Sequence, residues 1–138
     1  MCYYIDSDVD SYLDAGSLST RAGIDQSRLD EAVKLIINEY DQVALHGVLD
    51  EEVARAKSYM KGSIILSLED TEDLAHFFGK QQLLYPNVRS VDEYIGMIEA
   101  VTKEDVDQLA KDLLGHENLR LAVIGNTDNK AGLESLLV

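Results

Sequence analysis

The feature that most constrains this chain is a change of period near residue 25. From Cys2 to Leu13 the residues alternate, with Tyr3, Ile5, Ser7, Val9, Ser11 and Leu13 on one face and Cys2, Tyr4, Asp6, Asp8, Asp10 and Tyr12 on the other. Period two over such a length predicts a long strand with one wet face. Asp14-Ala15-Gly16 suits a turn, and Ser17 to Ile24 reads as a second strand carrying Leu18, Thr20, Ala22 and Ile24 on one side. The two together predict an antiparallel hairpin. From Asp25 the spacing becomes helical through Leu29, Ala32, Val33, Ile36, Ile37, Tyr40, Val43 and Ala44. Asp25 or Ser27 is suited to cap that helix and Gly47 to close it.

A second helix is expected after Asp50 as cap, with Glu51 and Glu52 in its first turn, where negative charge complements the helix dipole. Val53, Ala56, Lys57, Met60, Ile64 and Leu68 form its stripe. Beyond that, either the helix kinks near Asp70-Thr71 and runs on to Leu83, or Thr71 caps a new one. Tyr85-Pro86-Asn87 is a loop. Ser90 with Glu93, and Thr102 with Asp105, carry the capping-box spacing and open two further helices, the second running to Leu114. Asn118 to Ile124 alternates as a strand ended by Gly125, and residues 130–137 suit a last short helix. Strand, strand, four or five helices, strand, helix is not a repeating βαβ order. It predicts an α+β fold, a two-layer sandwich with a mainly antiparallel sheet covered by helices on one face.

Composition narrows the function. With 138 residues and 46% hydrophobic content, the chain suits one globular domain, residues 1–138. A net charge of −14 repels phosphate backbones and argues against a nucleic-acid partner. No apolar run approaches the roughly 18 residues that suggest a membrane span. The N-terminus lacks the basic and apolar regions of a signal peptide. One cysteine, Cys2, forms no internal disulfide and fits a reducing compartment, so a cytoplasmic location is expected.

The chemistry-bearing residues assemble no site by sequence. His46, His76 and His116 are not spaced to share a helix face, and neither H-E-x-x-H nor the inverted H-x-x-E-H is present. Zinc catalysis needs about three protein ligands, so no metal ligand is expected here. Asp6-Ser7-Asp8-Val9-Asp10 begins like a calcium loop, but Ser11 stands where such a loop needs glycine and Ser17 where it needs glutamate. No phosphate cradle or G-x-S-x-G elbow occurs. The acidic pairs Glu51/Glu52, Glu69/Asp70 and Glu72/Asp73 lie at expected helix starts, where capping explains them.

Five segments in order carry a resemblance. Leu49-Asp50-Glu51-Glu52-Val53-Ala54-Arg55-Ala56-Lys57 is similar to an "E-E-L-x-R-A-K" helix. Lys61 to Thr71 is similar to "K-G-x-L-L-L-S-L-E-D-T". Gly79-Lys80-Gln81 follows. Ile98 to Val106 resembles "I-x-A-V-T-x-E-D-V", and Asn118 to Gly125 resembles "N-L-x-L-A-V-I-G". The series resembles the second half of the insulinase and pitrilysin-like zinc metallopeptidases, in their mitochondrial-processing-peptidase-like branch. The resemblance implies a partial half-domain, shortened at its N-terminus, from a protein of two similar halves that close into a chamber. Zinc and its H-x-x-E-H motif are expected in an N-terminal half. This half supplies chamber wall and a tyrosine from a stretch like "R-x-x-x-G-L-x-Y", with the arginine before residue 1. Met1-Cys2-Tyr3 aligns with "L-x-Y", making Tyr3 the candidate oxyanion-stabilising residue, with cross-strand packing as its other reading and Tyr4 as its competitor. The implied partners are the N-terminal peptidase half and peptide substrates. A second copy is also expected, pairing through an exposed Cys2–Leu13 edge. The alternative function is a catalytically inert structural or interaction domain of a non-peptidase relative.

Overall fold

A computed structural model describes residues 2–127 and 129–137. Strands β1 (Cys2–Ser11) and β2 (Gly16–Ile24) pair antiparallel, in register from Tyr4 opposite Gly23 to Ser11 opposite Gly16, with a register shift between Tyr4 and Cys2, which stands opposite Ile24. The turn between them is closed by Tyr12 N–H donating to the Ala15 carbonyl at 2.9 Å. Among the described residues six helices follow: α1 (Leu29–His46), α2 (Asp50–Ser67), α3 (Thr71–Leu84), α4 (Val91–Ala100), α5 (Lys103–Leu113) and α6 (Lys130–Glu134), with short 3₁₀ turns at Gln26–Arg28 and His116–Asn118. The α+β class predicted from the sequence holds, with a small antiparallel sheet and a helical majority. Among the described residues no helix is long and apolar enough to cross a membrane.

The chain divides into two compact units. One joins the hairpin and α1 to the chain from residue 108 onward, and the other comprises residues 48–107. In the first, α1 buries Ala32 and Val33. Its Tyr40 hydroxyl meets Thr20 Oγ1 at 2.7 Å, and Thr20 Oγ1 in turn meets Ser7 Oγ at 2.8 Å. This polar chain fixes which face of the hairpin looks at α1. At the end of α1, Gly47 takes φ 72°, a conformation that glycine adopts without steric cost, and donates to the Val43 carbonyl. Leu133 of α6 and Ala110 of α5 are the other buried apolar residues of this unit.

In the second unit, α2 and α4 are tied by lysines. Lys57 Nζ donates to the Glu99 carbonyl at 2.9 Å and Lys61 Nζ meets the Glu99 carboxylate at 2.7 Å. Phe77 stands edge-on to Phe78 (5.1 Å) and Tyr94 (5.6 Å), an arrangement that aromatic quadrupoles favour. Buried Gln81 accepts Arg89 N–H at 3.0 Å and donates to the Arg89 carbonyl, which clamps the proline-bearing loop.

Three local expectations change. The segment after Ser67 is a new helix, capped by Asp70 rather than Thr71, with Asp70 Oδ1 accepting Glu72 N–H at 2.7 Å. Asp50 is the first residue of α2 rather than its cap, and Glu52 reaches back instead to accept Leu49 N–H at 2.8 Å. Residues 119–124 form no strand among the described residues, and Ile124 is 104% exposed. Alternation there sets extended backbone, but a strand also requires a ladder partner, and β1 and β2 are the strands the described sheet contains.

Candidate functional site

The residue singled out by the sequence, Tyr3, occupies an irregularity in the ladder. Cys2 pairs with Ile24 and Tyr4 with Gly23, so two steps along β1 match one step along β2 and Tyr3 is the extra residue. A bulge of this kind bends its strand and re-aims the side chain it carries. Tyr3 is 82% exposed and makes no side-chain hydrogen bond among the described residues.

Its neighbour behaves differently. The Tyr4 ring lies across Gly23, so close that a β-carbon there would come within 2.8 Å of Tyr4 Cδ1. Tyr4 therefore packs its ring on the hairpin while staying 61% exposed, and Tyr3 is the more exposed of the two. The signal for this arrangement was Gly23, since glycine inside a strand marks a bulge or a close approach.

The other chemistry-bearing residues lie apart. His46 ends α1, where its charge would complement the helix dipole. His76 lines a shallow surface of α3 with Ala75, Gly79, Lys80, Leu83 and Leu84. His116 Nε2 meets Asp41 Oδ1 at 3.0 Å, and its Nδ1 is buried without a hydrogen-bond partner. No cluster of three or more metal-ligating side chains occurs among the described residues. Asp6, Asp8 and Asp10 sit in extended β1, which lacks the tight turn of a calcium loop, and Arg21 Nη1 lies 3.7 Å from Asp8. Glu52, Glu72 and Asp73 fall in first helical turns, as the capping reading expected.

Residues 1–60 match the family model described as the peptidase M16 inactive domain. Over 130 residues the chain is 35% identical to an uncharacterized zinc protease of Streptomyces coelicolor, covering 94% of this chain and 28% of that one. The chain belongs to the peptidase M16 family, through its inactive domain. A second relative, an uncharacterized zinc protease of Bacillus subtilis, is 32% identical over 94% of this chain and 31% of its own length. Mitochondrial-processing peptidase subunit alpha-2 of Dictyostelium discoideum is 28% identical over 91% of this chain and 28% of that protein. A chain of complex III2 from Candida albicans shares the fold, with a TM-score of 0.71 at 23% identity over 78% of this chain and 26% of that one. This M16 chain thus spans less than a third of the length of the curated relatives described.

Proposed function

We propose that residues 1–138 act as one partial domain, the C-terminal, zinc-free half of a zinc metalloendopeptidase that cleaves peptides in the cytoplasm. The observation carrying this reading is the match to an uncharacterized zinc protease along 94% of the chain, together with the match of residues 1–60 to the inactive domain. A partner N-terminal half would hold the zinc, whose Lewis acidity would polarise the scissile carbonyl. This chain lends chamber wall and the Tyr3 phenol. Donating to the developing oxyanion, that phenol stabilises charge that is larger in the transition state than in the substrate. The bulge at Tyr3 and its greater exposure support the assignment, since the Tyr4 ring lies against Gly23.

The test is hydrolysis of a peptide by the two-half protein carrying Tyr3→Phe or Tyr4→Phe. Tyr3→Phe is expected to lower kcat by about 10²-fold with KM little changed, the scale of losing one oxyanion donor. Tyr4→Phe is expected to leave kcat within a few-fold. Equal effects from both variants would refute the role of Tyr3.

A second reading is a catalytically inert structural or interaction domain. The observation favouring it is surface. Tyr59, Leu66 and Leu83 stand out in that surface, and apolar area of this kind marks a place where another body sits. An unchanged kcat in Tyr3→Phe, together with a stable complex, would decide for this reading.

A further inference from the structure

Tyr4 with Gly23 is the last regular pair of the hairpin ladder before its slip. Continued one step outward, that register would set Tyr3 opposite Ile24, yet Cys2 holds that place. One step of β2 is therefore matched by two steps of β1, and β1 has one residue to spare. The spare residue has two neighbouring positions open to it. In the observed pairing Tyr3 is the extra residue. In the other, Tyr3 pairs with Gly23 and Tyr4 becomes extra, while Cys2 stays opposite Ile24 and Ile5 opposite Ala22. The rest of the ladder is the same in both, so the side chains at Gly23 choose between them.

Gly23 offers room for one ring. Lacking a β-carbon, it lets an aromatic side chain lie on the β2 backbone, and the Tyr4 ring occupies that surface. A β-carbon on Gly23 would run into Tyr4 Cε1, and would stand 2.8 Å from Cδ1 and 3.2 Å from Cζ. A ring that covers a strand glycine pins the register of the strands it joins. Directly opposed residues share a face of the sheet, so whichever tyrosine pairs with Gly23 takes this place. Tyr3 and Tyr4 are adjacent and carry the same side chain, and they therefore compete for it. With Tyr4 in place, Tyr3 is kept out.

We propose that Tyr4 is a positioning residue for Tyr3: seated on Gly23, it fixes Tyr3 as the extra residue of β1. The ring does this rather than the hydroxyl, so phenylalanine can replace Tyr4 and alanine cannot. Without a ring at position 4 the pairing moves by one residue. Tyr3 then settles on Gly23, and its hydroxyl leaves the place from which it would serve the oxyanion. The catalytic consequence rests on the peptidase reading of Tyr3, whereas the location of the bulge does not.

The test uses the two-half protein and has two readouts. Register is read with fluorotyrosine at position 3, through a nuclear Overhauser contact from its ring fluorine to the Gly23 α-protons. That contact is expected in Tyr4→Ala and not in wild type or Tyr4→Phe. Activity is read by peptide hydrolysis, where Tyr4→Ala is expected to lower kcat about tenfold with KM little changed. In a Tyr3→Phe background Tyr4→Ala is expected to lower kcat no further, because a residue acting through the Tyr3 phenol has nothing left to position. If circular dichroism shows Tyr4→Ala unfolded, Tyr4→Thr, which suits a strand but carries no ring, is expected to give the same results. No Gly23 contact in the ringless variant, or an equal kcat loss in both backgrounds, would overturn the proposal. So would a Gly23 contact in Tyr4→Phe, which would assign the effect to the hydroxyl. If Tyr3→Phe leaves kcat unchanged while Tyr4→Ala brings Tyr3 onto Gly23, the peptidase role of Tyr3 fails and its positioning by Tyr4 stands.

Discussion

Asp107 Oδ1 accepts the backbone N–H of Val48 at 2.9 Å, and these two residues are the last and the first of the helical unit. Lys103 Nζ pairs with the other carboxylate oxygen of Asp107. One side chain thus closes a segment of sixty residues and holds a cation one helical turn away. Asp107→Ala is expected to cost about 1–3 kcal/mol in denaturant unfolding, since it leaves a partly buried N–H without its acceptor. Asp107→Asn keeps an oxygen for Val48 and is expected to lose less. Equal losses from the two variants would show that the Val48 hydrogen bond contributes little.

The start of α4 gives a second measurement. Ser90 Oγ accepts Glu93 N–H at 3.2 Å while the Glu93 carboxylate accepts Ser90 N–H at 2.7 Å. Ser90→Ala removes the first bond and is expected to destabilise by about 1 kcal/mol. An unchanged unfolding midpoint would mean that solvent satisfies the end of α4 equally well.

The same box has a pH signature. The Ser90 backbone N–H, then the Ser90 side chain, hold the Glu93 carboxyl below its ordinary value of 4.5. A depressed folded-state pKa contributes stability that is fully present above the unfolded value and is lost as pH falls through the folded one. Wild type should therefore exceed Glu93→Gln in thermal midpoint at pH 7, with the gap closing below about pH 4.5. A gap that persists at pH 3 would place the stabilisation outside the ionised carboxylate. Lys103 shows the opposite sign. Its hydrogen bond to Asp107 raises its pKa above 10.5, so its contribution is present at neutral pH and is lost as the solution becomes strongly alkaline.

Gly23 supplies the fourth test. Gly23→Ala puts a methyl where the Tyr4 ring now lies, and that ring is 61% exposed with solvent to swing into. The expected outcome is a shifted Tyr4 ring resonance with a stability change under about 1 kcal/mol, because the ring moves while the ladder stays. A loss of several kcal/mol would mean that the backbone, rather than the ring, gives way.

Local rules carried far in this chain. The hairpin, the helical spacing of α1 and the reciprocal Ser90/Glu93 and Thr102/Asp105 boxes were all legible, because each depends on neighbours within a few residues. What sequence missed depended on distant partners. Leu119 to Ile124 has strand alternation, yet pairing needs a second backbone that the pattern cannot name. Glu52 outcompeted Asp50 at the start of α2 because its longer side chain reaches back to Leu49 N–H. Tyr3 was singled out through family resemblance, whereas the one-residue mismatch that makes it the extra residue of β1 is visible only in the pairing of two strands.

The division into two units has a temporal consequence. The helical unit is one uninterrupted stretch, whereas the hairpin unit is discontinuous and draws its second portion from beyond residue 107. His116 must find Asp41 seventy-five residues upstream, and Asn129 must find Asp30 ninety-nine upstream. On a ribosome the helices can condense as soon as Asp107 has emerged, while the hairpin and α1 wait for the tail of the chain. During that wait the hairpin and α1 already hold each other, and it is Asp41 and Asp30 that stay open until residues 116 and 129 have emerged.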